Sequence, residues 1–173
     1  MVKYRYLWLI GALSLGLLTS SFALAQTSKC GPDHAILYKK AVKLVDSAEK
    51  KLAAKFTAEA KAQLKEANSL FSVLVKECGP TQKERNLTDA EVAEEAQNIK
   101  LQQEAMVQVK ELEKSYEENL KKAQQYQTQG NNELADRYGR QAKGESERAN
   151  VLAAKAEIYA LRNQQMIFRF LNK

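Results

Sequence analysis

The tripeptide Gly130-Asn131-Asn132 divides the second half of the chain into two long stretches compatible with helix. Neither residues 88–129 upstream nor residues 132–173 downstream contain a proline. In both stretches apolar residues recur at steps of three and four, which places each set on one face of a helix. Folding the chain back at the turn brings the two faces together. The sequence therefore predicts an all-α fold containing a long, antiparallel, coiled-coil-like helical hairpin over residues 88–173, with its turn at 130–132.

The two faces pair position by position, because residue numbers that lie opposite each other sum to 260–262. Leu112 is then expected opposite Ala149, and Met106 opposite Ala156, large against small as two close helices require. We interpret the polar seam members as residues that fix the register of the helices. The predicted seam consists of Val92, Ala96, Ile99, Gln103, Met106, Val109, Leu112, Tyr116, Leu120, Ala123 and Tyr126, facing Leu134, Tyr138, Ala142, Glu145, Ala149, Leu152, Ala156, Tyr159, Asn163, Met166 and Phe170.

The start of the first long helix carries a clear boundary signal. Thr88-Asp89-Ala90-Glu91 has the pattern of a capping box, with Leu87 as the apolar residue before the cap. Residues 81–87 form a predicted polar linker in front of it. Inside the second long helix, Gly139 and Gly144 each cost about 1 kcal/mol relative to alanine. We interpret them as softening the helix, with close approach of another backbone as the alternative.

A shorter, disulfide-closed hairpin is predicted for residues 26–80. Cys30 and Cys78 each begin a Cys-Gly-Pro tripeptide, and their numbers sum to 108, as do those of apolar pairs such as Leu44 with Leu64. A reversal near Ala54 to Thr57, with Thr57 as N-cap of the returning helix, would join the cysteines. The alternative is one helix of about 45 residues and roughly 68 Å, in which the cysteines could never meet. The pairing pattern favours the hairpin.

The first 25 residues have the pattern of a secretory signal peptide. Lys3 and Arg5 form a basic start, residues 7–18 are apolar, and Ala23-Leu24-Ala25 predicts cleavage after Ala25. A transmembrane anchor is the alternative, but the apolar run falls short of the roughly 20 residues needed to span a bilayer. The pattern predicts an exported protein, periplasmic or at the cell surface, without a transmembrane segment once the signal is removed. In an exported chain, two cysteines are expected to form a disulfide.

Two short segments carry a resemblance. Residues 53–64, AAKFTAEAKAQL, resemble the middle of helical-hairpin domains in bacterial envelope lipoproteins, and residues 130–138, GNNELADRY, resemble the turn of a tetratricopeptide repeat. The resemblance implies an envelope-associated interaction domain and no chemistry.

The residue types needed for a reaction are sparse. His34 is the only histidine and stands at a predicted helix start, where we expect a structural role. We expect no catalytic residue, metal or cofactor, and therefore a protein that is not an enzyme. Near the C-terminus, Ile167, Phe168 and Leu171 are surplus to the seam and form a possible interaction patch. They should pack either on the first hairpin or on another molecule, and the short linker favours packing within the chain.

Two functions follow from these observations. The first is a structural or interaction protein of the bacterial envelope, which contacts protein partners or its own copies. The alternative is a binding module for anionic envelope surfaces, lipid headgroups or polyanionic polymers, through the first hairpin, where ten lysines stand against six acids between Lys29 and Cys78. Nucleic acid is not expected, because arginine and aromatic residues are not interleaved.

Overall fold

The computed structural model describes residues 30–79 and 87–172, which fold almost entirely as helix. The predicted signal sequence and its cleavage site at Ala25 lie outside the described residues, as do residues 26–29 and 80 of the predicted first hairpin and residues 81–86 of the predicted linker. The elements in chain order are α1 (Pro32–Ala53), α2 (Thr57–Cys78), α3 (Asp89–Thr128), α4 (Asn132–Ile167) and a C-terminal 3₁₀ turn (Arg169–Asn172).

The turn between α3 and α4 is built around Gly130, which confirms the predicted reversal. Gly130 adopts a left-handed conformation with φ of 75°, and the N–H of Asn131 donates to the carbonyl of Tyr126 over 2.9 Å. This is the Schellman arrangement that ends a helix. The Asn131 side chain then accepts a hydrogen bond from the N–H of Leu134 at 3.2 Å, so one residue helps to end α3 and caps α4.

The turn between α1 and α2 uses the same arrangement without a glycine. Lys55 takes the left-handed position with φ of 67°, and the N–H of Phe56 donates to the carbonyl of Lys51 over 2.9 Å. The prediction that Thr57 is the N-cap was wrong by one residue. Phe56 stands at the cap position without a side-chain cap, because the chain re-enters helix directly after the left-handed residue.

The first two helices form the predicted hairpin rather than one long helix. A disulfide joins Cys30 to Cys78 with their Cα atoms 5.1 Å apart. Between the helices, Tyr38 and Phe71 pack edge to face with ring centroids 6.4 Å apart. Leu64, from the predicted apolar pairs, is fully buried.

The main core lies between the first hairpin and the C-terminal half of α4. Three apolar residues of α4, Ala154, Ile158 and Leu161, lie in the same buried cluster as the inner faces of α1 and α2. The opposite face of α4 packs against α3. The molecule is therefore layered, with α4 between the first hairpin and α3. The core residues of the first hairpin are Tyr38, Ala41, Val45, Ala48, Leu52, Ala60, Leu64, Ala67, Phe71, Leu74 and Cys78.

Contacts across the long hairpin pair early residues of α3 with late residues of α4, and late residues with early ones. Asn98 bonds to Asn163, and Tyr126 stacks on Tyr138 with ring centroids 5.5 Å apart. The two helices therefore run in opposite directions.

The first half of α3 faces α4 with a different stripe from the one predicted. Ile99 and Met106 were predicted in the seam, but they are 41% and 39% exposed. Asn98 and Ala105, which were not predicted there, are buried together with Val109, which was. The prediction was wrong because two neighbouring stripes of α3 both have helical spacing, and the polar Asn98 reads as a surface residue. Val92, also predicted in the seam, is 52% exposed, and Leu120, in the second half of the helix, is 37% exposed.

The helix-interior glycines have no packing reason within the described chain. Apart from the neighbouring backbone of α4 itself, a Cβ atom added at Gly139 or at Gly144 would meet no atom within 4 Å. Close approach of another part of the chain therefore does not explain them, and their interpretation as softening points stays a prediction.

Candidate interaction surfaces

The C-terminal apolar residues lie against the molecule's own core. Phe168 is 2% exposed and belongs to the core cluster, while Ile167 and Leu171 are partly buried against it. These residues therefore pack on the first hairpin, which was the favoured of the two expectations, and the alternative of an exposed interaction patch is wrong. The chain reaches that position because the 3₁₀ turn follows α4 directly, and Arg169 in this turn pairs with Glu91 at 2.6 Å.

A partly exposed ion network joins the first hairpin to α4. The Arg162 guanidinium contacts Asp46 at 2.8 Å and Glu49 at 2.6 Å. Burial would lower the pKa of Arg162, but the hydrogen bonds to Glu49 and Asp46 outweigh it and raise that pKa above its ordinary value. Tyr38 adds a hydrogen bond from its hydroxyl to the carbonyl of Gln165 at 3.2 Å. Sequence reasoning missed Arg162, since nothing in the helical pattern of α4 marks which face meets a second hairpin.

Cys30, His34 and Cys78 come together at the start of the first hairpin, with potential ligand atoms within 4.8 Å of one another. Within the described ranges they form the single group of this kind. Both sulfurs are in the disulfide, so they cannot act as thiolate ligands. This grouping was not predicted from the sequence, although the spacing of Cys30 and His34 by four residues indicates it once the cysteines are paired.

His34 has a structural role at this point. Its Nδ1 accepts a hydrogen bond from the N–H of Gly31 at 3.0 Å. The proton of the neutral ring is then on Nε2, which donates to Glu77 over 2.7 Å. The side chain therefore caps α1 and connects it to the end of α2 beside the disulfide.

The seam of the long hairpin contains a carboxylate held by neutral donors. Glu145 accepts hydrogen bonds from the Ser115 hydroxyl at 2.6 Å and from the Asn119 amide at 3.0 Å. Polar seam groups satisfied in this way set the register of two helices. Glu145 was predicted in the seam, but Ser115 and Asn119 were not, because their side chains are typical of surface residues.

An open cleft of about 1660 Å³ separates the tip of the first hairpin from the middle of the long hairpin. Its apolar lining includes Leu52, Leu112, Val151 and Leu152. Phe56, at the tip, also lines the cleft and is 54% exposed. Lysine, arginine and glutamate side chains share the lining. The cleft has the mixed surface that a protein segment with both apolar and charged residues would fit.

Beyond the cleft, residues 113–143 form an arm of two helices. Within this arm Ala142 is buried, while Tyr126 and Tyr138 stack at its end and are only partly covered. A second, polar cleft of about 760 Å³ lies where the arm begins, and its lining includes Lys122 and Arg137 of the arm and Arg148 just beyond it. The arm is therefore a thin, largely exposed projection.

No protein-family model, no curated protein and no solved structure matches the chain. The resemblance to envelope-lipoprotein hairpins thus stays a prediction. Among residues 30–79 and 87–172, none of the helices combines the length and apolar character needed to cross a bilayer.

Proposed function

We propose that this is an exported, non-catalytic protein of the bacterial envelope, periplasmic or at the cell surface, whose helical hairpins bind protein partners. The observation that carries the proposal is the division of the molecule into two parts. In one part the first hairpin is packed firmly on α4, and the other part is the exposed arm. The buried core and the ion pairs of Arg162 hold the first hairpin on the C-terminal half of α4. The cleft and the arm of residues 113–143 remain accessible.

The disulfide supports export. Disulfides persist in oxidising compartments such as the periplasm and are rare in the cytosol. The Cys30–Cys78 bond agrees with the signal-like pattern of residues 1–25.

The distribution of perturbed titratable groups supports a role without catalysis. Burial raises the pKa of Glu157, partly opposed by Lys61, and burial raises the pKa of Tyr38. Glu157 faces the side of α2, whereas Tyr38 bonds to the end of α4. Neither Glu157 nor Tyr38 lines either of the two clefts described above, so these shifts are those of packing rather than of an active site.

Site-specific photo-crosslinking in bacteria tests the proposal. A photoreactive side chain at Phe56 in the cleft, and another at Tyr126 on the arm, should capture one defined envelope protein. The control position is Ser72, an exposed residue on the outer side of α2, which should capture nothing defined. Recovery of the protein from the cytoplasm with free thiols, or no capture at either test position, would contradict the proposal.

Binding to anionic envelope surfaces is the second candidate, favoured by the pairing of charges in the first hairpin. Acids there are largely neutralised, with Glu66 bonded to Lys40, Glu59 to Lys51, and Asp46 and Glu49 to Arg162. Nine lysines lie in residues 30–79, so the surface keeps an excess of positive charge.

Vesicle sedimentation separates the two candidates. Binding to vesicles containing anionic phospholipid should fall with added salt and with Lys39→Glu/Lys43→Glu. The matched charge change Lys110→Glu/Lys114→Glu, on α3, is the control. Equal binding by both variants, or binding that salt leaves unchanged, would count against this candidate.

A further inference from the structure

A stripe of apolar and amide side chains on α3 faces solvent, although its spacing is that of a helix interface. We name it the outer stripe. Val92, Ile99 and Met106 in it are 52%, 41% and 39% exposed. Each residue of the stripe comes directly after a residue that faces α4. The stripe therefore lies about 100° around the helix from the side that packs on α4. The outer stripe is Val92, Ala96, Ile99, Gln103 and Met106.

We propose that the outer stripe is the interface of a parallel, two-stranded coiled coil between the α3 helices of two copies of this chain. The inference rests on the proposed function as an interaction protein and names one partner and surface. In heptad terms Val92, Ile99 and Met106 occupy d positions, and Ala96 and Gln103 occupy a positions. Such a run of alternating three- and four-residue steps is what allows two helices to interlock.

The polar member of the outer stripe favours the parallel direction. In a parallel pair, residues at a positions face their own counterparts, so Gln103 meets Gln103 of the second copy. Two amides can hydrogen-bond to each other, whereas an amide against an apolar residue loses its partner. A second copy of α3 that runs in the same direction would therefore supply the hydrogen-bond partner of the Gln103 amide.

The charges beside the outer stripe point the same way. In an antiparallel pair with full overlap, Ile99 lies at the centre and the two Lys100 side chains come close together. The repulsion between their like charges opposes this arrangement. In the parallel pair the e position Lys100 lies near the g position Glu95 of the second copy, with opposite charge. Lys100 is 70% exposed and its contact with Glu104 is 3.9 Å long, so its ammonium group is available at the surface.

The size of the outer stripe sets the strength of the expected dimer. From Val92 to Met106 the stripe is about 21 Å long at 1.5 Å per residue, and its exposed apolar area is on the order of 400 Å² per copy. A stable interface buries about 800 Å² per partner. The dimer should therefore be weak, with a dissociation constant of about 10 μM to 1 mM.

Analytical ultracentrifugation of the oxidised mature chain tests the proposal over that concentration range. The average mass should rise toward a dimer, and Ile99→Lys/Met106→Lys should raise the dissociation constant at least tenfold. Gln97→Lys/Gln108→Lys, exposed and off the stripe, adds the same charge and should change it by less than threefold. A monomer throughout, or equal effects of both double variants, would overturn the inference.

Cysteine crosslinking tests the direction. Gln103→Cys should form a disulfide-linked dimer faster under mild oxidation than Gln108→Cys, which lies away from the stripe. Equal rates would refute the parallel pairing. Capture of a different protein by a photoreactive group at Ile99, from a chain that stays monomeric, would also overturn self-association. That outcome would leave the proposed function intact, because its own test uses Phe56 and Tyr126.

Discussion

The side chains of Asn98 and Asn163 hydrogen-bond to each other across the seam of the long hairpin, with Asn98 Nδ2 2.9 Å from Asn163 Oδ1. Both residues are more than nine-tenths buried, and Asn163 also donates to the carbonyl of Glu95 at 3.4 Å. Sliding one helix past the other by a turn would bury two unpaired amides. The pair therefore holds α3 and α4 in one register.

Removing one member of this pair should cost more than removing both. Asn98→Leu leaves the Asn163 amide short of a partner and should lower the free energy of unfolding by about 1–3 kcal/mol. Asn98→Leu/Asn163→Leu should recover much of that loss. Urea denaturation of the four proteins of this double-mutant cycle measures the coupling, and Gln97→Leu, on the exposed face, is the control. Single-mutant costs that simply add would argue against the pairing.

A charge in the observed seam should be far more harmful than one in the outer stripe. Val109 is 4% exposed, so Val109→Asp buries a carboxylate without a partner and should destabilise the fold by several kcal/mol. Met106→Asp places the same group in solvent and should cost no more than about 0.5 kcal/mol. Thermal unfolding at low micromolar concentration, where the chain is monomeric, compares them. Equally large losses from both substitutions would instead support the seam predicted from the sequence, which contains both residues.

The two hairpin turns should respond to glycine in opposite ways. Lys55→Gly removes a side chain from a left-handed position and should stabilise the protein by about 0.5–1 kcal/mol. Gly130→Ala puts one into such a position and should destabilise it by about 1 kcal/mol. Lys43→Gly, in the interior of α1, should cost about 1 kcal/mol and serves as the control. A loss of stability in Lys55→Gly would disagree with the turn geometry.

Opening the disulfide should weaken the first hairpin strongly. The bond closes a loop with a sequence separation of 48, for which chain entropy corresponds to about 4 kcal/mol. Cys30→Ala/Cys78→Ala should lower the free energy of unfolding by roughly that amount. Mass spectrometry of unreduced protein should show the Cys30–Cys78 peptide pair within one chain. Free thiols at both positions would be inconsistent with the fold described.

Acid should weaken the junction between the start of α3 and the C-terminus through Glu91. Its carboxylate accepts hydrogen bonds from the Thr88 N–H at 2.8 Å and the Thr88 hydroxyl at 3.0 Å. The Thr88 backbone hydrogen bond, aided by Arg169, holds the pKa of Glu91 below its ordinary value of 4.5. A lowered folded-state pKa means that this stabilisation is complete above the unfolded-state pKa and is lost as the pH falls through the folded-state pKa.

Denaturation of the wild type and Glu91→Gln between about pH 6 and about pH 3 measures this contribution. The stability difference between the two should shrink as the pH falls. Glu94→Gln, at an exposed position on the same helix, should show a smaller change. A difference that stays constant across the range would exclude a titrating role for Glu91.

Local signals in the sequence were sufficient for the turns and ends of the helices. The Gly130-Asn131 pair, the Thr88–Glu91 capping box and the matched cysteines each act through backbone geometry or a covalent bond, and all three are present. The turn and the capping box involve only residues close together in the sequence, and the disulfide involves the only two cysteines, so each can be predicted without knowing how the helices pack.

The contacts between layers could not be predicted in the same way. Helical spacing leaves a choice between adjacent stripes of α3, and burial of Asn98 rather than Ile99 is decided by the partner helix. Arg162 gains its role only because α1 brings Asp46 and Glu49 to it. The candidate cleft likewise arises from where one hairpin stops along another, a distance that no local pattern encodes.

The disulfide also determines how the molecule would carry a mechanical load. Cys30 enters the first hairpin and Cys78 leaves it, and the bond holds their Cα atoms 5.1 Å apart. Tension applied between the chain before Cys30 and the start of α3 would pass through the sulfur atoms and bypass α1 and α2. Those helices could be stretched only after the bond is reduced. The first hairpin is thus a force-protected module, and reduction would convert it into about 50 residues of extensible chain.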